Sequence, residues 1–225
     1  MKQFIVVGLG RFGLSVTKTL LSMGYEVLAI DKDPKKVQEC ASFATDVYRA
    51  EATDEKTLLE LGVHNMDHAI VAIGDDLQAN ILATIQLKNL GVKTITAKAV
   101  SDLHHKVLEK LGVDHIIHPE RDTGVRVAHQ ITSQHLIEFL EVAPEYSLVE
   151  IYAPPSMCGK SLKQLKMRAS YGCNIIAIRT KDNQMNISPT ADDQISHGDI
   201  LVIIGSNKGI AHLEKRYVRT KEMLK

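Results

Sequence analysis

Along residues 1 to about 120, short runs that are apolar at nearly every position alternate with stretches whose apolar residues return every three or four positions. No other feature of the chain narrows its fold as far. The runs are FIVVG, EVLAID, DVYRAEA, HAIVAIG, TITAKAV and HIIHP. Between them lie patterns such as Leu14-Val16-Leu20-Leu21, Ile81-Leu82-Ile85-Leu87 and His105-Leu108-Leu111. Strands without a polar face must be covered on both sides, and helices on right-handed crossovers between parallel strands provide that cover. The tripeptides Leu61-Gly62-Val63, Leu90-Gly91-Val92 and Leu111-Gly112-Val113 repeat just ahead of three of the runs, and Gly24 occupies the same place after Met23. A glycine there takes the left-handed conformation that stops a helix, and the next residue starts the strand. The expected fold is therefore α/β, a Rossmann-like, doubly wound parallel sheet of six strand-helix units.

Beyond Glu120 the pattern changes. Residues 120 to about 140 read as helical with no further parallel unit, and Val142 to Glu145 (VAPE) marks a break expected to act as a hinge. After it come a strand in YSLVEIYAP, one helix begun by Ser161 and ended by Gly172, strands in NIIAIRT and ILVIIGS, and a final helix NKGIAHLEKRY leading to a charged tail. Short turns make this a small, mostly antiparallel α+β module. The expected domains are 1–140, including a crossover helix, and 141–225.

Composition excludes several classes. Lys plus Arg number 27 and Asp plus Glu 27, so no net field draws the chain to a nucleic acid polymer or an anionic membrane. Cys40, Cys158 and Cys173 lack C-x-x-C spacing and read as small apolar residues of a reducing compartment. No apolar run reaches about 18 residues and no basic leader precedes the first strand, so a cytoplasmic protein is expected.

The stretch VVGLGRFG follows the first strand and opens a helix, and EVLAID ends in Asp31. That is the context a phosphate-binding glycine motif requires. Gly8 permits the tight turn, Gly10 lets backbone approach phosphate, and Gly13 lets the helix pack on the sheet. The helix start, at Arg11 and Phe12, presents unpaired N–H groups and a positive dipole end to an anion. Asp31 is placed to accept from ribose hydroxyls, while Lys32 leaves a 2′-phosphate open. Open parallel sheets bind ligands at the C-terminal ends of their strands, which adds Glu51-Ala52-Thr53-Asp54, Ile73-Gly74-Asp75, Lys98 and Glu120. Thr53, Asp54 and Asp75 serve equally well as helix N-caps. Dinucleotide and mononucleotide both satisfy the motif, and Arg11 favours a triphosphate modestly.

Catalysis is not visible. Hydride transfer needs a substrate pocket with an acid or base facing the nicotinamide, and the module after Glu145 is too short and aliphatic to supply one. Among the 10 histidines, His104-His105 and His115-x-x-His118 are the only clusters. The second straddles a strand, where residues three apart face opposite ways, so it does not make a zinc pair. His104 stands near the nucleotide edge, as a phosphate contact or as a helix-start residue.

VVGLGRFG with AIDKD, DHAIVAIG, HHKVLEKLG, DHIIHPE, and the later YSLVEI, RASYGCNIIAIR and GDILVIIG resemble the RCK, or KTN/TrkA-like, regulatory proteins of potassium channels and transporters. The resemblance covers essentially the whole chain, nearest the cytosolic subunits of bacterial Ktr-type potassium uptake systems. It implies dimers assembled into an octameric ring at the inner face of the membrane, where ATP activates and ADP inactivates an integral membrane potassium-conducting partner. It implies that Arg11 reaches the terminal phosphate and that Asp31, Lys32, Asp33, Glu51, Ala52, Ile73, Gly74, Asp75, Lys98, Ala99, His104 and Glu120 line the pocket. Glu120 also matches an acidic position that holds an activating cation between subunits, Mg2+, Ca2+ or Na+. In the second domain it implies a cyclic di-AMP cleft between two subunits, with Arg168 on phosphate, Asn174 and Ile175 on base and ribose, and Leu162 and Pro189 as apolar walls. Glu51-Ala52-Thr53-Asp54 departs from the Gly-Asp of many relatives, and the acid at 51 leaves nucleotide identity open. The alternatives are an NAD(H)-dependent oxidoreductase, or an NAD redox sensor that binds DNA, for which no helix-turn-helix or basic patch appears.

Overall fold

The computed structural model describes residues 2–133 and 135–217, Tyr217 by its backbone alone. The charged tail expected at 218–225 lies outside the described residues. The chain divides into two units, one running to Glu120 and one from Arg121.

The first unit alternates strand and helix as its sequence demands: β1 (Gln3–Val7), α1 (Arg11–Ser22), β2 (Glu26–Asp31), α2 (Pro34–Ala41), β3 (Val47–Arg49), α3 (Glu55–Glu60), β4 (His68–Val71), α4 (Leu77–Asn89), β5 (Thr94–Lys98), α5 (Asp102–Lys110) and β6 (His115–Ile117). All the pairings are parallel, in the order β3-β2-β1-β4-β5-β6. Side chains alternate faces along a strand, so Ile5 and Val7 enter a core with Ile30, Leu58, Val71, Leu87 and Leu108, while Val6 enters another with Leu9, Val27 and Cys40. Each fully buried aliphatic side chain contributes about 1.5–3 kcal/mol. The Leu-Gly-Val repeats act as the sequence requires: Leu61, Leu90 and Leu111 end their helices, and Gly62, Gly91 and Gly112 follow with φ of 73°, 80° and 69°. The strand order reverses beside β1, since the chain builds outward to β3 and then returns to β4 on the other side. The C-terminal ends of β1 and β4 part there, and the crevice between them is where such sheets hold ligands.

The helix α6 (Pro119–Thr132) begins at the boundary between the units, which falls at Glu120 and not near residue 140 as expected. The helix expected to continue to about 140 is corrected as well. Residues Leu136–Ala143 form a strand, β7, which pairs antiparallel with β8 (Tyr146–Tyr152). Pro144 and Glu145 are the turn of that hairpin, and their carbonyls accept hydrogen bonds from Asn207. A turn locked into a sheet in this way is no hinge. The unit continues with α7 (Leu162–Leu165), α8 (Met167–Tyr171), β9 (Cys173–Arg179), β10 (Met185–Asn186), β11 (Ile200–Ser206) and α9 (Asn207–Tyr217), its sheet ordered β10-β9-β11-β8-β7. Leu165, Ile178, Leu201, Ile203 and Leu213 share its core.

The single helix expected from Ser161 to Gly172 is broken in the middle. Ser161 opens α7 with a capping box shared with Gln164, and Gly172 closes α8 at φ 64°. Between them Lys166 takes φ 50° and ψ 39°, a left-handed conformation that costs a side-chain-bearing residue about 1 kcal/mol.

Candidate functional site

A cavity of about 450 Å3 opens over the C-terminal ends of β1, β2, β4 and β5. Of the residues that the sequence placed at a nucleotide, Gly13, Thr53, Asp54, Ala99 and His104 are outside the lining and the others are part of it. Gly8 and Gly10 form the loop, Arg11 and Phe12 the first turn of α1, and Asp31, Lys32 and Asp33 the end of β2. Glu51 and Ala52 follow β3, while Ile73, Gly74 and Asp75 follow β4. Lys98 ends β5 and Glu120 stands in the first turn of α6.

Three of these, Gly13, Ala99 and His104, have direct physical reasons. A Cβ at Gly13 would lie 1.9 Å from the Gly8 carbonyl oxygen, so this position serves helix packing rather than the ligand. Ala99 is part of the hydrophobic core. His104 is 1% exposed, and its Nδ1 accepts from the Val100 N–H at 3.3 Å. Burial, and after it the neighbouring His118, hold its pKa below the ordinary histidine range. It is an interior ring that does not line the cavity. His105 Nδ1 lies 2.9 Å from His118 Nε2, with the rings stacked. Among the described residues no three His, Cys, Asp or Glu side chains converge as a metal site. Of the cysteines, Cys40 and Cys173 are buried and Cys158 is half-buried, all as free thiols.

Asp31 ties the loop together. One carboxylate oxygen accepts from the Leu9 N–H at 2.6 Å, the other from the Asp33 N–H at 2.8 Å, and Lys36 Nζ stands 3.8 Å away. A carboxylate offers about four acceptor positions, so a ligand hydroxyl still finds room on it. Lys36 lines the cavity as well and was not anticipated; its only signal was its place one turn into the helix after Asp31. Asn80 was also missed. Fully buried on α4, it donates through Nδ2 to the carbonyls of Ile73, at 2.7 Å, and Lys98, at 3.2 Å, and so holds the ends of β4 and β5 in position. Asp33 and Asp54 cap α2 and α3, and α4 is capped by Asp76 rather than Asp75.

Lys98 closes the far side of the cavity. Its ammonium forms an ion pair with Glu120, and a Cβ on Gly74 would sit 2.8 Å from it, so only glycine fits there without displacing the lysine. The hydrogen bond from Lys98 holds the Glu120 carboxyl below the ordinary glutamate range, against a smaller opposing effect of burial. Because that value is depressed on folding, the pair's stabilisation is present above the unfolded pKa and is lost as pH falls through the lower folded value. Lys98→Met is expected to return Glu120 to the ordinary range, read from its carboxyl carbon in an NMR pH titration; an unchanged midpoint would remove Lys98 as the cause.

In the second unit Arg168 Nε donates to Asn174 Oδ1 at 2.9 Å, joining two of the residues implied for cyclic di-AMP. Leu162 and Ile175 pack partly buried against the core, and Pro189 lies half-buried in the loop after β10. Among the described residues no helix is long and apolar enough to cross a membrane.

Fold and site define a two-module protein in which a Rossmann-like sheet with a phosphate loop precedes a small antiparallel module. Residues 4–119 match the TrkA-N domain and residues 146–217 the TrkA-C domain, and the chain belongs to this TrkA-like, RCK family. It is 49% identical over 220 residues to the Ktr system potassium uptake protein C of Bacillus subtilis (strain 168), covering 98% of this chain and 99% of that one. It is 46% identical over 213 residues to Ktr system potassium uptake protein A of the same organism, covering 95% and 96%. Both relatives are potassium uptake proteins. The GsuK channel bound to NAD shares the fold, with a TM-score of 0.52 at 22% identity over 96% of this chain. This chain spans 38% of that channel polypeptide.

Proposed function

We propose that this chain is the cytosolic regulatory subunit of a Ktr-type potassium uptake system, and that it senses ATP against ADP in the cavity over β1 and β4. The observation that carries the reading is the phosphate loop with Arg11 at the mouth of the cavity, in a chain matched along its length by two Ktr proteins. The lining brings Arg11, Lys32, Lys36 and Lys98 together with Asp31, Asp33, Glu51, Asp75 and Glu120. Carboxylates this numerous beside a polyphosphate call for a cation, and Glu120 is the residue that would hold it, as Mg2+, Ca2+ or Na+, with donors from the nucleotide or a second subunit.

In this reading copies of the chain pair and assemble into an octameric ring beneath a membrane potassium-conducting partner. Arg168, Asn174 and Ile175, flanked by Leu162 and Pro189, form the cyclic di-AMP cleft of paired second domains, and its occupation inhibits transport. A ligand moves such a ring only by binding one shape more tightly than the other. The terminal phosphate gives ATP that difference, because Arg11 adds a charge-assisted contact that ADP does not make.

Purified protein saturated with ATP and with ADP is expected to give different small-angle scattering profiles. Arg11→Ala should weaken ATP about tenfold while leaving NADH nearly unchanged, since a hydrogen bond to a charged group is worth about 1.5–3 kcal/mol. Identical profiles would overturn the switch, and equal losses for both ligands would overturn the role of Arg11.

A further inference from the structure

Where the backbone pairing of β4 with β5 stops, a buried side chain takes its place. The ladder between these strands ends with Val71 opposite Ala97, and Ile73 and Lys98 lie past it, both in the lining of the nucleotide cavity. Asn80, on α4, bridges the gap: its Nδ2 donates to the Ile73 carbonyl at 2.7 Å and to the Lys98 carbonyl at 3.2 Å. Its own backbone is tied on both sides, the N–H donating to the Asp76 carbonyl at 3.0 Å and the carbonyl accepting from Thr84 Oγ1 at 2.8 Å. The residue is fully buried and does not itself line the cavity.

Two observations give this bridge a purpose beyond the fold. First, the Asn80 Oδ1 is buried with no donor among the described residues, which destabilises the folded chain. Ala83 and Leu87, further along α4, pack under the sheet without that cost. An amide is kept here for what its two donors hold. Second, those donors grip two closely fitted segments, because the Lys98 ammonium lies across Gly74, where an added Cβ would stand 2.8 Å from it, and Ile73 immediately precedes that glycine. The Lys98 side chain is only 11% exposed, whereas that of Glu120, with which it pairs, is 69% exposed. A carboxylate so open to water holds its partner weakly and can turn away, which leaves a largely buried ammonium facing the cavity. Where that ammonium stands is set by the Lys98 backbone, and Asn80 fixes the backbone.

We propose that Asn80 is a positioning residue of the nucleotide site, whose amide holds Lys98 so that its ammonium meets a nucleotide phosphate; this rests on the nucleotide reading above. The test is a double-mutant cycle on the full-length protein, with ATP as the probe and affinity measured by calorimetry. Asn80→Leu and Lys98→Met should each weaken ATP by about tenfold, as loss of a charge-assisted contact requires, and the double variant should bind no more weakly than Lys98→Met alone. Asn80→Ser, which keeps one short donor, should lose about threefold and likewise nothing further beside Lys98→Met. Arg11→Ala is the comparison: it removes a group on α1 with no part in the bridge, so its loss should multiply with that of Asn80→Leu, whereas a general slackening of the site would couple Asn80 to Arg11 and Lys98 alike. Thermal melts report separately what each substitution costs the fold, and affinities are read where every variant is folded. Losses that multiply between Asn80 and Lys98, equal coupling to Arg11, or unchanged affinity in Lys98→Met or in both Asn80 variants would overturn the positioning role while leaving Arg11-dependent ATP binding intact. Wild-type protein that takes up no ATP would overturn the nucleotide reading and this role with it.

Discussion

Gly13→Ala is expected to destabilise the first unit by about 3 kcal/mol or more, because the added methyl has nowhere to go. Its Cβ would stand 1.9 Å from the Gly8 carbonyl oxygen, 3.1 Å from the Gly8 carbonyl carbon and 3.3 Å from the Ala72 Cβ. Two of those atoms are backbone of the phosphate loop, and Gly8 itself is fixed at φ 94° with little space around it, so the loop cannot retreat without leaving β1. The melting temperature should fall by about 10 °C or more, and nucleotide affinity should go with it. Gly10→Ala is the control. Gly10 has φ −70° and nothing within 4 Å of an added Cβ, so the fold should melt as wild type does, while the methyl obstructs a phosphate drawn onto the start of α1. Thermal melts with an ADP titration on both variants separate the two roles. Equal melting temperatures for Gly13→Ala and wild type would show that this glycine does not set the approach of helix to sheet.

That contrast was partly legible in the sequence, which assigned Gly10 to the ligand and Gly13 to packing from their places in one motif. The parallel order of the first sheet was legible for a similar reason: strands such as FIVVG have no polar face, and the Leu-Gly-Val repeats punctuate the helices between them. Where residues satisfy two patterns, reading failed. Leu136 and Leu140 lie one helical turn apart, yet they fall in β7, where a register shift between Leu136 and Glu138 leaves Leu136 buried and Leu140 exposed. The break at Lys166 has neither glycine nor proline to announce it. The side chains of His104 and Asn80 are fixed by the packing of α5 and α4 onto the sheet, and no spacing rule distinguishes a ring turned inward from one turned toward the cavity. No spacing rule singles out Lys36, because it is the first turn of α2 that brings its long side chain back over the site.

Asp31→Asn tests the assignment at the centre of the site, and its effect should be nearly as large. The native carboxylate accepts from two backbone N–H groups at once, those of Leu9 and Asp33, and its residue is 8% exposed. An amide of the same shape has one oxygen and one NH2, so whichever way it turns, a donor faces a donor. A buried N–H then loses its partner, at a cost of about 1–3 kcal/mol, and Lys36 loses the negative charge 3.8 Å away. The loop amides after Leu9, from Gly10 onward, are those that must point at phosphate, so loosening the Leu9 anchor should lower ADP affinity by about tenfold or more. Hydrogen exchange at the Leu9 amide should quicken in step. If Asp31 also spends a remaining lone pair on the ribose, wild type should lose affinity for 2′-deoxy-ADP relative to ADP, and the Asn variant should lose less. A variant that melts like wild type, protects Leu9 equally and binds ADP as tightly would show that the carboxylate neither holds the loop nor meets the ligand.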